Sequence, residues 1–396
     1  MDHINDRATM QHHFDQILNK NYANFETKRR YSYGNNAIKT YVIESHIFNE
    51  QVSRDYLLNS ILQRAKEVDS ESTLRETKDE NLISLSTVAA DYFIDITSKR
   101  YVVLHTAEPT KVTDPFINKF QNAKGFDSLW LPVPLLLETV SLGRFWGMGV
   151  TYQDSIEESI IDTGDDLLED VHDINLSAKR HFAQQFFSLL MTSELKYMMG
   201  VSRLSVLRES EERKDNNKFI IDDIKYNGKI TAKGNSYEKH SRIVYELVKL
   251  YSEVIEKLET YGISFEEGRL AGNPITINFS RTVSPQKLIN IIFTGEEPFR
   301  LWGVEDEIGP NQFRVYAVDM HHGNSGNKLT FEITENYMRI SMPKYSCANT
   351  LLRLFSNINH YVDAMAALEV LDYELKVDLS RAGLGQYLGQ YDVQNT

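Results

Sequence analysis

Apolar positions recur with helical or strand-like spacing along most of the chain. Leu57, Leu58, Ile61, Leu62 and Ala65 repeat at helical intervals, which predicts a helix over 52–68. The longest stripe joins Ile243, Val244, Leu247, Leu250, Tyr251, Val254, Ile255 and Leu258. It predicts a helix from Ser236 to about Tyr261, stopped by Gly262. An apolar helix is expected over 181–199 and a short polar one over 8–25. Alternation predicts strands at 39–45, 219–224 and 229–232, and a hairpin from 92–96 and 101–106. Asp114-Pro115 reads as a helix start running to about Ala123. A short strand at 129–131, a helix at 135–140 and a strand at 148–152 follow. The polar stretch 69–81 reads as a loop.

The clearest order lies between Pro274 and Val370. A strand at 275–279 leads to a helix opened by Ser284-Pro285 and closed near Gly295. Four strands follow, at 299–304, 313–318, 329–333 and 337–342. A closing helix over 348–370 carries Leu351, Leu352, Phe355, Ile358, Val362, Met365 and Leu368. This β-α-β-β-β-β-α module buries one face of an antiparallel sheet under helices, so the expected class is α+β, with mixed or antiparallel sheets covered by helices. Arg144-Phe-Trp-Gly and Arg300-Leu-Trp-Gly echo each other at the starts of predicted strands. A diverged duplication would produce such an echo, although the pair alone does not establish one.

Residues 154–173 are rich in Asp and Glu and contain no Lys or Arg, the composition of an exposed, self-repelling connector. The expected organisation is therefore an α+β domain over 1–153, an acidic connector over 154–178 and a central helical and strand region over 179–272. The C-terminal module over 273–378 and a tail over 379–396 complete it. A chain of 396 residues with 41% hydrophobic content is long enough for a substantial core. One cysteine excludes an internal disulfide framework and a multi-cysteine zinc site. The N-terminus lacks an apolar run and the greasiest stretch, 129–140, is too short to span a bilayer. A cytoplasmic protein without membrane contact is expected, of undetermined oligomeric state.

Net charge of −13 disfavours a general nucleic-acid coat. Two basic clusters stand against it. Lys28, Arg29, Arg30 and Lys39 surround Tyr31 and Tyr33, while Lys225, Lys229, Lys233, Lys239 and Arg242 bracket Tyr226 and Tyr237. Cations interleaved with aromatics contact phosphates and stack bases. The same composition also describes ordinary surface side chains. The turn Gly234-Asn235-Ser236 precedes the long helix with Lys229 and Lys233 nearby, an arrangement able to hold a phosphate but lacking the P-loop order. Asp319, His321 and His322 approach a Gly/Asn-rich loop. Adjacent strand residues face opposite ways, which argues against a shared metal site. Cys347 opens the closing helix, where a lowered thiol pKa would favour nucleophilic chemistry. A lone cysteine is more often a small buried hydrophobe. No dinucleotide, P-loop, EF-hand, HExxH or nucleophile-elbow signature is present, so neither cofactor nor metal is expected.

These features favour a non-catalytic binding or adaptor subunit of a cytoplasmic complex, with a protein partner and phosphate contact through the basic clusters. The first alternative is a small-ligand or nucleotide sensor built on Gly234–Ser236. The second is a hydrolase or thiol enzyme using Cys347 with the His321/His322 loop.

Overall fold

A computed structural model describes residues 4–28, 37–46, 53–123, 125–153, 173–209, 218–266, 268–321 and 328–388. The chain is α+β and divides into two compact units. One comprises Met1–Leu129, Leu142–Arg144 and Ser205–Leu250; the other comprises Trp130–Ser141, Phe145–Leu204 and Tyr251–Thr396.

The chain opens with α1 (Arg7–Lys28), β1 (Ile38–Ser45) and α2 (Arg54–Val68). Next come β2 (Thr73–Glu76), β3 (Leu82–Ser86), β4 (Asp91–Asp95), β5 (Tyr101–Thr106), α3 (Thr110–Gln121) and β6 (Phe126–Ser128). Then follow α4 (Val133–Glu138), β7 (Arg144–Gln153), β8 (Asp173–Lys179), α5 (His181–Thr192) and β9 (Gly200–Glu209). The chain continues through β10 (Phe219–Lys225), β11 (Lys229–Gly234), α6 (Tyr237–Glu259), β12 (Ser264–Glu266) and β13 (Arg269–Ala271). The final series is β14 (Ile275–Asn278), α7 (Pro285–Ile292), β15 (Leu301–Gly309), β16 (Gln312–Asp319), β17 (Lys328–Ile333), β18 (Tyr337–Ser341), α8 (Asn349–Tyr361), β19 (Ala367–Val370) and β20 (Tyr373–Leu375).

In the first unit, β2-β3-β4-β5-β1-β11-β10 lie side by side. Strand β1 is buried at every position. It pairs antiparallel with β5 along one edge and with β11 and β6 along the other. Tyr41, Ile43, Tyr92, Ile94 and Leu104 form one core face with Leu57 and Ile61 of α2 and Phe116 and Phe120 of α3. Phe14 of α1 packs on Phe93, His105 and Tyr237 on the opposite face.

In the second unit, β15-β16-β17-β18-β14-β19-β20 form an antiparallel sheet. Helix α8 is buried from Asn349 to His360 despite its polar composition. Several of its polar groups are bonded to segments remote in sequence. Asn349 Nδ2 donates to Tyr251 OH at 3.1 Å, Ser356 Oγ to the Leu131 carbonyl at 3.4 Å, and Asn359 Oδ1 accepts from Val133 N–H at 3.1 Å. Burial lowers the His360 pKa to about 3, keeping the imidazole neutral in the core.

The two units contain the same connection pattern. In the first, β1 leads through α2 into the β2–β5 meander, whose last strand pairs with β1. Helix α3 then delivers β6 to the other edge of β1. In the second, β14 leads through α7 into the β15–β18 meander, whose last strand pairs with β14, and α8 delivers β19 to its other edge. The topology is thus repeated, but in a register unlike that of the Trp-Gly echo. Arg144 lies beyond the first repeat, whereas Arg300 lies inside the second, just before its meander.

Most expected elements are present, with several corrections. Residues 69–81 are not all loop, because β2 occupies Thr73–Glu76, and β3 was not anticipated. Helix α3 begins at Thr110, so Pro115 lies inside it and Asp114 is free for another role. The short strand falls at Phe126–Ser128 rather than 129–131, and α5 ends at Thr192 before a 3₁₀ turn over Glu194–Tyr197. The closing helix ends at Tyr361. There the Asp363 carboxylate accepts from Ser280 N–H, Ser280 Oγ and Met365 N–H, turning the chain so that Leu368 and Val370 enter β19. Residues 379–388 include a 3₁₀ turn at Gly385–Tyr387. Of the acidic connector, 154–172 lie outside the described residues.

Gly200 marks a close approach to α8. A β-carbon there would come 2.7 Å from His360 Nδ1 and 2.9 Å from the Asn359 carbonyl oxygen. Gly200→Ala is expected to destabilise the protein by about 1–3 kcal/mol through overpacking, seen as a lower urea midpoint with an unchanged m-value.

Candidate functional site

The densest polar chemistry of the first unit lies on β1. Side chains alternate across a strand, so Lys39 and Tyr41 face α2 and α3, while Thr40 faces α1 and α6. Pairing of Tyr41 with Lys229, and of Asp223 with Thr231 opposite Lys39, puts Lys229, Lys233 and Asp223 on the same face as Lys39 and Tyr41.

On that face, Tyr41 OH donates to Asp114 Oδ1 at 2.6 Å and lies 2.7 Å from Thr113 Oγ1. Lys229 Nζ contacts both Asp114 carboxylate oxygens at 2.5 and 2.6 Å and sits 5.5 Å from the Tyr41 ring centroid. Asp114 reaches both because it lies inside α3 rather than at its start. Lys39 is 2% exposed, and its ammonium donates to the Ala107 carbonyl at 3.5 Å, a long bond for a buried charge. Burial, and then the Lys229 charge, lower the Lys39 pKa to about 8. Burial also lowers the Lys229 pKa, against the pull of Asp114. The Tyr92 and Tyr41 hydroxyls are driven upward, chiefly by burial.

The opposite face holds a chain of four buried groups. Asp222 Oδ1 lies 2.8 Å from His240 Nδ1, His240 Nε2 lies 2.6 Å from Thr40 Oγ1, and Thr40 Oγ1 lies 2.8 Å from His105 Nδ1. Burial, and then the neighbouring His240, lower the His105 pKa to about 3. A neutral His105 can donate from Nδ1 to Thr40, whose hydroxyl then donates to His240 Nε2, leaving His240 Nδ1–H for Asp222. Asp–His–hydroxyl order is the arrangement that activates a nucleophile. Here the Thr40 hydroxyl is buried and already engaged on two sides, so the chain ties α6 to the sheet.

The expected phosphate-binding residues are distributed differently from one another. Lys225 is exposed at the end of β10. Lys229 is buried against Asp114, and Lys233 Nζ pairs with Asp223 Oδ2 at 2.6 Å. Lys239 and Arg242 belong to α6, which covers the opposite face of the sheet, and Arg242 Nη2 pairs with Glu238 at 2.6 Å. The second cluster therefore does not converge on one surface. Arg29 and Arg30, and the Lys28 side chain, lie outside the described residues. Ser236 is buried at the start of α6, where Asp15 Oδ1 accepts from the Tyr237 N–H at 2.6 Å.

In the second unit, Asp319 is committed to α8. Its Oδ1 accepts from Arg353 Nη2 at 2.5 Å and from His321 N–H at 2.9 Å, and its Oδ2 accepts from the Thr350 hydroxyl. Arg353 also donates through Nε to the Phe299 carbonyl at 3.3 Å. This is a buried ion pair whose acceptor oxygens are in use, not an open carboxylate awaiting a metal. His321 is buried, and His322 lies outside the described residues. Cys347 is half-buried, and its Sγ accepts from Asn349 N–H at 3.4 Å.

The MJECL33-like protein family matches residues 1–377, a span that includes both repeats from β1 to β20. The chain belongs to the MJECL33-like family. A relative from Methanocaldococcus jannaschii, the uncharacterized protein MJECL33, is 25% identical over 406 aligned positions, covering 93% of this chain and 95% of the relative. In this member of the family, sequence reading missed the Thr40–His105–His240–Asp222 chain. One signal was available: His240 precedes Ile243, Val244 and Leu247 on the apolar stripe of α6, marking it as buried.

Two measurements probe these assignments. The folded Lys39 pKa, near 8, lies below its ordinary 10.5, so the unfolded chain holds the extra proton between those values. Stability contributed through this group therefore rises as pH increases from about 8 to 10.5. Lys39→Met is expected to raise the urea midpoint at pH 7 and to flatten that rise, with Lys229 supplying the remainder. Asp319→Asn strips the buried Arg353 of its counter-ion and is expected to cost about 3–5 kcal/mol by urea denaturation.

Proposed function

We propose that the chain is a non-catalytic binding subunit of a cytoplasmic assembly whose main contact is with a protein partner. One observation carries this reading: α5 has two apolar faces. Ala183, Phe187 and Leu190 are buried at helical spacing, and Phe187 packs on Phe145 at 5.9 Å. Phe182 and Leu189 point outward, 71% and 59% exposed, with Phe186 half-buried between them in sequence. Leu195 and Met198, just beyond the helix, and Leu176 on the preceding β8 are exposed as well. A helix apolar on both sides is normally enclosed, and clustered exposed apolar residues mark interaction surfaces. No helix among the described residues is long and apolar enough to cross a membrane, so α5 is not read as a lipid-spanning element.

Phosphate contact remains the secondary part of this proposal. It rests on Lys225 and, as a separate contact on α6, on Lys239 and the exposed Arg242–Glu238 pair, rather than on Lys229 and Lys233, whose ammonium groups are held in internal ion pairs. The buried networks on β1 support a structural role for its polar side chains rather than turnover of a substrate.

Phe182→Glu combined with Leu189→Glu is expected to leave the melting temperature within a few degrees while abolishing partner recovery in a crosslinking pull-down from the source cells. Unchanged recovery with the double variant would remove the α5 reading. In parallel, binding to labelled DNA and RNA across a salt series reports phosphate contacts as a linear log–log decline. No binding at low salt would leave the protein-partner reading alone.

A further inference from the structure

The two repeats differ at the outer edge of their meanders. In the first, the edge strand β2 has four residues, and the chain just after it is bonded to the N-terminal segment, Lys78 N–H donating to the Asn5 carbonyl at 2.7 Å. Arg75 donates to the Ile4 carbonyl at 3.4 Å. Short, covered edges are a common defence against unwanted strand pairing. In the second, the edge strand β15 has nine residues and is exposed along most of its length.

Two hydrogen bonds orient the β15 backbone. Gly295 N–H donates to the Leu301 carbonyl at 2.8 Å, and Gly303 N–H donates to the Phe293 carbonyl at 3.3 Å. The backbone groups of Leu301 and Gly303 therefore face away from β16, toward residues 293–295. Antiparallel strands alternate, so the next outward-facing amides and carbonyls belong to Glu305 and Glu307. Among the described residues, no other segment pairs with the Val304–Glu307 edge. On the solvent face of the sheet beside it, Trp302, Val304 and Tyr316 are all more than half exposed, with Val304 and Tyr316 directly opposite in register.

We propose that this edge receives an extended, basic segment of a partner protein as an added strand. Glu305 and Glu307 would supply the main-chain bonds, and Trp302, Val304 and Tyr316 an apolar shelf for alternate side chains. Charge selects the occupant. Glu305, Asp306 and Glu307 are consecutive and exposed, so Lys or Arg in the added strand is favoured. A second copy of this chain is disfavoured, because two β15 edges pairing with each other would bring these carboxylates face to face. The proposal concerns a surface other than α5, so it stands or falls separately from the reading given above.

The test is selection of displayed segments of about ten residues on the full-length chain, followed by fluorescence anisotropy with the enriched peptide. Glu305→Pro is the edge-blocking variant, since it deletes an outward N–H while leaving the bonds to β16 in place. The expected result is enrichment of Lys and Arg alternating with β-branched or aromatic residues. Affinity should fall at least about tenfold in Glu305→Pro and in the Glu305→Lys, Glu307→Lys double variant. Hydrogen exchange should show the Glu305 and Glu307 amides protected by the peptide. The double variant serves alone if Glu305→Pro does not fold.

Enrichment of neutral or acidic segments, or binding unchanged in these variants, would overturn the proposal. So would a concentration-dependent dimer that Glu305→Pro dissolves, because the occupant would then be a second copy. Peptide affinity unaffected by the α5 double variant separates this site from the α5 face.

Discussion

A strand buried on both faces leaves no polar side chain to water, and β1 is such a strand with Lys39, Thr40, Tyr41 and Glu44 along it. Each must find a partner inside the protein or raise the free energy of the folded state. The neighbouring elements meet most of that demand: α3 brings Asp114 to Tyr41 and Lys229, α6 brings His240 to Thr40, and Arg100 Nε reaches Glu44 at 2.5 Å, while Lys39 is left with a long bond to the Ala107 carbonyl. The placement of two helices on opposite faces of the sheet is thus tied to a handful of polar positions on one strand. Apolar burial holds the layers together without fixing where they sit; these directional bonds fix the register.

The second unit meets a similar constraint from the helical side. Helix α8 is buried although it carries Asn349, Thr350, Arg353, Ser356, Asn357, Asn359 and His360. Arg353 is matched by Asp319, and several of the neutral groups by backbone carbonyls and amides. Such a helix fits one position far better than its neighbours, because a shift of one turn would strand a charge and several amides together. An apolar helix of the same length would slide at lower cost.

Elements with a clean local period were legible from the sequence. The four C-terminal meander strands and the stripe of α6 fall where alternation and helical spacing place them. The α8 boundary was not, because Val362, Met365 and Leu368 continue the helical spacing while Asp363 turns the chain by bonding to Ser280, a residue remote in sequence. Asp114-Pro115 has the chemistry of a helix start, yet the helix begins four residues earlier and Asp114 is used by Lys229. Lysines of β11 illustrate the same limit for the site. Lys229 and Lys233 alternate with Ile230 and Ala232, which shows that they share a face but not that the face is occupied by Asp114 and Asp223. Charge in a sequence is visible; its counter-charge is not.

The repeated topology is closed very differently in its two appearances. The second copy completes its sheet with contiguous chain, β14 through β20. In the first, β1 pairs on one side with β11, so Tyr41 meets Lys229 only after the whole intervening chain has been made. Loop closure over that distance is entropically unfavourable and slow relative to local pairing. During synthesis, β1 therefore waits for β11 and α6 before Tyr41 meets Lys229 and Thr40 meets His240, while the later module has its sheet partners close at hand in sequence. The first repeat is thus completed by elements from the middle of the chain, β11 and α6, both of them made before the second repeat begins at β14.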